Sequence, residues 1–176
     1  MILAIDVHYR NDKAKVVCAV LQQWNDPVAI DYRVKFVAAV DEYIPGEFYK
    51  RELPCILEIL SDIDLSTVSC IVIDGFVILD DSGKYGLGGH LYERLDRTIP
   101  VIGVAKTNFH QNVKHVIPVY RGESKNPLYV TAIGTDLQQA ADDVQGMYGD
   151  YRIPTVLKEL DRRTKEDDVT DNPPKS

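Results

Sequence analysis

The chain is poor in the residues that build disulfide frameworks and zinc cages. Of its 176 residues only three are cysteine, Cys18, Cys55 and Cys70, and only four are histidine. The cysteines are odd in number, widely spaced and each set within an apolar run. That predicts reduced core thiols and a cytoplasmic protein rather than a secreted, cross-linked one. No C-x-x-C or H-x-x-x-H spacing occurs, which argues against a structural zinc site. No basic leader precedes an apolar core segment, and no apolar run is long enough to span a bilayer, so secretion and membrane insertion are not expected. A positive surplus is also missing: 20 Lys and Arg face 27 Asp and Glu, a net charge of -7. That excludes a general nucleic-acid coat, which carries a basic footprint. It leaves room for a nuclease, whose acidic site is offset by metal ions and whose basic patch is local.

What the chain does have is length and apolar content for one full-sized core, with 45% hydrophobic residues. Strand-like runs at 1–8, 15–21 and 28–36 are separated by short polar turns, which predicts an N-terminal antiparallel meander. After Pro54, a residue suited to a first helical turn, Ile56, Leu57, Ile59 and Leu60 repeat at helical spacing. Further strands are expected at 69–73, 101–104 and 128–133, with another at 116–120, and helices at 88–95 and 137–147. The pattern is α/β, a mixed sheet flanked by helices. Residues 1–163 are read as one domain and 164–176 as a polar, mobile tail, where Glu166, Asp167, Asp168 and Asp171 cluster.

Three carboxylates stand out in this frame. Asp6 lies within Ile-Leu-Ala-Ile-Asp-Val, Asp74 ends Cys-Ile-Val-Ile-Asp, and Glu52 follows Arg51. A charged group at the end of a buried apolar strand is costly unless a cation or donor compensates it. Several such groups converging suit a hard divalent ion, magnesium or manganese, which takes oxygen ligands. Lys106 closes another strand, where its charge can hold a phosphate or a leaving group. Taken singly, each has an ordinary alternative: a turn cap for Asp6, a strand-to-turn step for Asp74-Gly75, a solvated pair for Arg51-Glu52, a surface amine for Lys106. The Gly86-Leu87-Gly88-Gly89 run lacks the Gly-Lys-Ser/Thr ending and the dinucleotide spacing, so it is no nucleotide loop.

Order and spacing add what single residues do not. Tyr43-Ile44-Pro45-Gly46 precedes Arg51-Glu52, then come Ile73-Asp74-Gly75, Gly86-Leu87-Gly88-Gly89-His90 and Gly103-Val104-Ala105-Lys106. This series resembles the endonuclease V family, and the similarity continues through 127–134 and 151–154. The resemblance implies a ribonuclease H-like fold and a metal-dependent endonuclease. Such enzymes recognise deaminated bases, chiefly hypoxanthine, in DNA or RNA and cut on the 3′ side of the lesion. It assigns Asp6, Glu52 and Asp74 to metal binding and catalysis, and Lys106 to catalysis. Tyr43, Ile44 and Pro45 match the family's wedge, which fills the stack a flipped base leaves, and Gly46 and Gly75 match positions near the base pocket; His90 keeps the family's Gly-x-x-His position and is either a nucleic-acid contact or, more simply, a packing or hydrogen-bonding residue.

The chain departs from the family pattern in two places. Where the family has His-Pro-Arg after Asp-Gly, this chain has Phe76 to Ser82 and a longer path to Gly86. Where the family has Gly-His after a later strand, it has Gly134-Thr135-Asp136. Asp136 is therefore either a substitute metal ligand or the N-cap of the helix that follows. These departures leave two alternatives to an inosine-directed nuclease: a catalytically weak nucleic-acid-binding protein of the same fold, and a nuclease with altered lesion preference.

Overall fold

A computed structural model describes residues 1–10, 12–38, 49–108 and 111–166. β1 (Ile2–Arg10), β2 (Lys13–Leu21) and β3 (Asp31–Ala38) form the expected antiparallel meander, with Asp6 paired to Val17. Then follow α1 (Tyr49–Leu60), β4 (Cys70–Asp74), α2 (Leu87–Arg94) and β5 (Val101–Ala105). The chain closes with β6 (Ile117–Val119), β7 (Leu128–Ile133), α3 (Leu137–Gln145) and α4 (Thr155–Lys165). The described strands make one seven-stranded sheet in the order β3-β2-β1-β4-β5-β7-β6. β1, β4 and β5 run parallel in its centre, and antiparallel pairs flank them on both sides.

The sheet is covered on both faces, and strand parity decides which residue faces which cover. Leu3, Ile5, Ile71 and Ile73 pack under α1 and α2 with Ile56, Ile59 and Leu91. Ile2, Ala4, Val72, Ile102 and Val104 pack under α3 and α4 with Val144, Val156 and Leu160. All three cysteines are free and buried, and burial pushes the Cys18 and Cys70 thiols up to about 12. Among the described residues no helix is long and apolar enough to cross a membrane.

Two elements differ from the sequence expectation. Pro54 sits inside α1 rather than opening it, and Glu52 occupies the first turn. An interior proline removes a backbone hydrogen bond at a cost of about 3 kcal/mol, which the burial of Leu53, Cys55, Ile56, Ile59 and Leu60 on one face offsets. The second is α4, which has no counterpart among the expected helices. It runs to Lys165, so the tail read from residue 164 overlaps its last turn; residues 167–176 lie outside the described part.

Candidate active site

Parity along the central strands collects the site. Asp6 is two residues beyond Ala4, Asp74 two beyond Val72, and Lys106 two beyond Val104. In a strand, every second side chain points to the same face. The three polar groups therefore continue the row that packs under α4: Asp6 just past the last pairing of β1 with β4, Asp74 at the carboxyl end of β4, and Lys106 just beyond β5. Ligands of open α/β sheets gather at such strand ends.

All three line one cavity of about 390 Å³, whose walls are apolar side chains including Val104, Leu128 and Leu157. A fourth polar group, Asp161 of α4, faces them across it. Asp161 is one turn after Leu157, and its carboxylate also accepts from Lys165 Nζ at 3.1 Å. Glu52 does not line this cavity; it approaches from α1, on the opposite side of the sheet, and feels the charges of Asp6 and Asp74.

The carboxylates make each other hard to ionise. Burial raises Asp6 to about 7, with the Asp74 and Asp161 charges adding to it; the Val7 N–H, donating to Asp6 Oδ1 at 2.9 Å, and Lys106 pull the other way. Burial, then the charges of Asp6 and Asp74, raise Glu52 to about 8 against the nearby Arg51. Asp74 is open to the cavity yet ringed by its walls, and that dehydration raises it too. Lys106 and Lys165 oppose this, and Asp161 adds to it. Thr164 is fully buried; its hydroxyl donates to the Asp161 carbonyl at 2.7 Å and stands 3.5 Å from Asp6 Oδ2.

Among the described residues no three His, Cys, Asp or Glu side chains are gathered tightly enough to cage a metal ion. The chemistry of the donor set nonetheless fits a hard divalent cation. Asp6, Asp74, Asp161 and Glu52 offer oxygen only, and their mutual repulsion is what such a cation relieves.

Lys106 is fixed from its backbone. Arg152 Nη2 donates to the Lys106 carbonyl at 2.5 Å and to the Pro127 carbonyl at 2.8 Å, joining the end of β5 to the start of β7. The chain after Asp74 is held just as closely. Gly75 has φ +127°, a region that favours glycine, and its N–H donates to the Val104 carbonyl at 3.0 Å. A Cβ on Gly103 would lie 2.5 Å from the Gly75 carbonyl oxygen. Val77 N–H then donates to Thr131 Oγ1 at 2.8 Å.

The remaining candidates lie elsewhere. His90, on α2, does not line the cavity; its ring stacks on Tyr49 at 3.8 Å and meets the edge of Tyr85 at 5.8 Å. Asp136 is the N-cap of α3, accepting from the Gln139 N–H at 3.0 Å, and it too is absent from the cavity wall. Tyr43, Ile44, Pro45 and Gly46 lie outside the described residues. Asp161, Thr164 and Arg152 were not singled out from sequence. The one available signal was the row Val156, Leu160, Thr164 at four-residue spacing, which marks the buried side of α4.

The segment that replaces the family's His-Pro-Arg is a small hairpin. Ile78 bridges Tyr85, and Asp80 Oδ1 accepts from the Ser82 and Lys84 N–H groups. Asp81 Oδ1 accepts from Val113 N–H at 2.7 Å and Lys114 N–H at 2.8 Å, and buried Asn112 donates to the Ile78 carbonyl at 2.8 Å. These bonds tie the hairpin to the loop after β5.

Solved structures share this architecture. Human ENDOV superposes with a TM-score of 0.73 at 18% identity, over 93% of this chain and 82% of that one. An endonuclease V variant from Ciona intestinalis, in complex with a 23mer DNA containing an inosine followed by a ribo-adenosine, gives 0.74 at 17% identity, over 93% and 83%. The Bacillus subtilis Endonuclease V gives 0.69 at 16%, over 93% and 78%. At such identities the likeness shows the fold, ribonuclease H-like α/β. Comparison with curated protein sequences returned no match. The sequence model of the Endonuclease V family matches residues 1–121. That span holds Asp6, Glu52, Asp74 and Lys106 and carries the central parallel strands, and the chain belongs to the endonuclease V family.

Proposed function

We propose that this protein is a divalent-metal-dependent endonuclease that hydrolyses a phosphodiester bond beside a deaminated base, hypoxanthine, in DNA or RNA. The observation that carries the reading is the row of Asp6, Asp74 and Lys106, set on or just beyond three adjacent parallel strands where their mutual pairing ends, with Asp161 opposite. Asp6, Asp74 and Asp161 would hold magnesium or manganese, with Glu52 acting on the same charge from α1. When bound, the cation supplies Lewis-acid charge at the phosphate and activates water.

The chain's own groups do the rest. Lys106, positioned through its carbonyl by Arg152, stabilises the negative charge that builds on the phosphate oxygens and the leaving group. The Val7 N–H fixes the orientation of Asp6. Apolar walls limit water around these charges, which strengthens each of their interactions. Gly75 leaves room for a flipped base, and Tyr43, Ile44 and Pro45 fill the vacated stack, by the family resemblance; hypoxanthine pairs weakly, so flipping it costs least.

The test is cleavage of matched DNA and RNA oligonucleotides, with and without a single inosine, in magnesium, in manganese and in chelator. Product is expected only with metal and beside inosine, and Asp74→Asn should abolish it while leaving oligonucleotide binding. No product under any condition, with binding intact, overturns the enzyme reading in favour of a binding protein. Equal cutting of undamaged strands overturns the lesion preference, and the hairpin at 76–86 becomes the first place to look for its cause.

A further inference from the structure

A second depression, of about 1210 Å³, runs from the catalytic cavity between the loop ahead of β3 and the outer side of α4. The two share Tyr151, Ile153, Lys158 and Asp161. At their junction Tyr151 is 76% exposed, an unusual setting for so large an apolar ring, and Val28 and Ile30 across the groove are 73% and 55% exposed.

Tyr151 does not stand on a loose loop. Arg121, 5% exposed, spends its whole guanidinium on that loop's backbone. Its Nη1 donates to the Tyr151 carbonyl at 2.5 Å, its Nη2 to the Met147 carbonyl at 2.5 Å and the Gly149 carbonyl at 3.0 Å, and its Nε to the Gln145 carbonyl at 3.4 Å. On the other side Arg152 ties the loop to the Lys106 carbonyl. The ring thus stands on a backbone braced from both flanks, at the edge of the cavity that holds Asp6, Asp74 and Lys106.

The charges around the groove sort the same way. Arg162 and Arg163 share Glu159, Arg163 also lies over the Tyr32 ring at 3.8 Å, and Lys165 pairs with Asp161. Lys158 makes no ion pair with any described residue and lines both depressions. An exposed aromatic ring on a braced backbone, with a lysine ammonium lining the same groove, is the equipment of a single-stranded nucleic-acid path: the ring stacks a base, the cation meets a phosphate. A sequence-tolerant contact of this kind complements a site that opens on one lesion.

We infer that Tyr151 and Lys158 form a stacking shelf for an undamaged nucleotide of the substrate strand flanking the bond to be cut, with Val28 and Ile30 as the facing wall. The inference rests on the nuclease reading for the direction of the strand, but its test does not require cleavage. Anisotropy of a fluorescein-labelled oligothymidylate, measured in chelator, is compared with that of an abasic strand of equal length. Tyr151→Ala should weaken oligothymidylate binding on the order of tenfold, with Tyr151→Phe restoring it and the abasic strand unaffected. Lys158→Ala should lower the slope of log affinity against log salt by about 0.7, one phosphate contact on a single strand. Thermal midpoints confirm that the variants are folded.

Undiminished binding by Tyr151→Ala, or equal loss on the abasic strand, overturns the shelf. Binding that depends on Tyr151 in a protein that never cuts supports the shelf and overturns the nuclease reading. Cutting beside inosine with Tyr151→Ala binding unimpaired overturns the shelf alone.

Discussion

A carboxylate on a buried parallel strand loses hydration and gains the repulsion of its neighbours, and Asp6 meets both conditions. Asp161 is one of those neighbours, acting on Asp6 and Asp74 alike. Removing its charge has two consequences of opposite sign. The site loses an oxygen donor, so Asp161→Asn should lower cleavage on the order of 100-fold and shift the metal requirement upward about tenfold. The metal-free protein loses a source of repulsion, so its thermal midpoint at pH 8 should match or exceed the wild type's, since the exposed partner Lys165 contributes little. Cleavage titrated against magnesium, with melting in chelator, checks both. Unchanged cleavage removes Asp161 from the site. Asp6 and Asp74 were legible in the sequence because each interrupts or ends a β-branched run. Asp161 was not, because in Lys-Glu-Leu-Asp-Arg-Arg an acid between charges reads as a solvated helix face.

At the scale of elements, strands announced themselves and one helix did not. The apolar runs of β1, β2, β4, β5 and β7 are long, bounded by polar turns and buried on both faces, so periodicity alone locates them. α4 buries only Val156, Leu160 and Thr164, a stripe too narrow to outweigh the charges between its members. Its helical state is supported locally by strong helix formers, Leu157, Lys158, Glu159, Leu160, Arg162, Arg163 and Lys165, and by the Glu159–Arg163 and Asp161–Lys165 pairs four residues apart. The missing family histidine drew attention to Asp136 as a replacement ligand, and the element explains that residue more simply. Its side chain caps the free amide of Gln139 at the start of α3. Asp136→Ala should therefore cost about 1 kcal/mol, a fall of roughly 2–4 °C in midpoint for a chain of this size, with the metal requirement for cleavage unchanged. An altered metal requirement would return Asp136 to the site. Asp161 of α4, by contrast, faces the cavity.

At the scale of the molecule, the fold brings together charges that the sequence keeps far apart, and this ties its stability to pH. Parallel pairing sets β1 beside β4 and β4 beside β5, and α4, packed against β1 and β2, brings Asp161 to the cavity that Asp6, Asp74 and Lys106 line. No local pattern reports that packing, which is why the site was visible as residues before it was visible as a place. Burial and mutual repulsion raise Asp6 to about 7 and Glu52 to about 8, above the ordinary carboxylate values of the unfolded chain, near 4. Between those limits the folded, metal-free protein holds protons that the unfolded chain has released, so its stability falls as pH rises from about 4 to about 8. On the proposed function a divalent cation would take the place of those protons, and its binding would release them. Melting in chelator should show the midpoint dropping from pH 5 to pH 8. Magnesium at about 100 times its dissociation constant should add about 2.7 kcal/mol, or roughly 5–10 °C, at pH 8 and distinctly less at pH 5. The difference between the two pH values is the informative quantity. An equal gain at both would mean that the cation binds groups other than the carboxylates at the strand ends, and the charge repulsion there would then have to be relieved by the nucleic acid's own approach with its counterions. A larger gain at pH 8, lost in Asp74→Asn, identifies the raised carboxylates as the ones the metal displaces protons from.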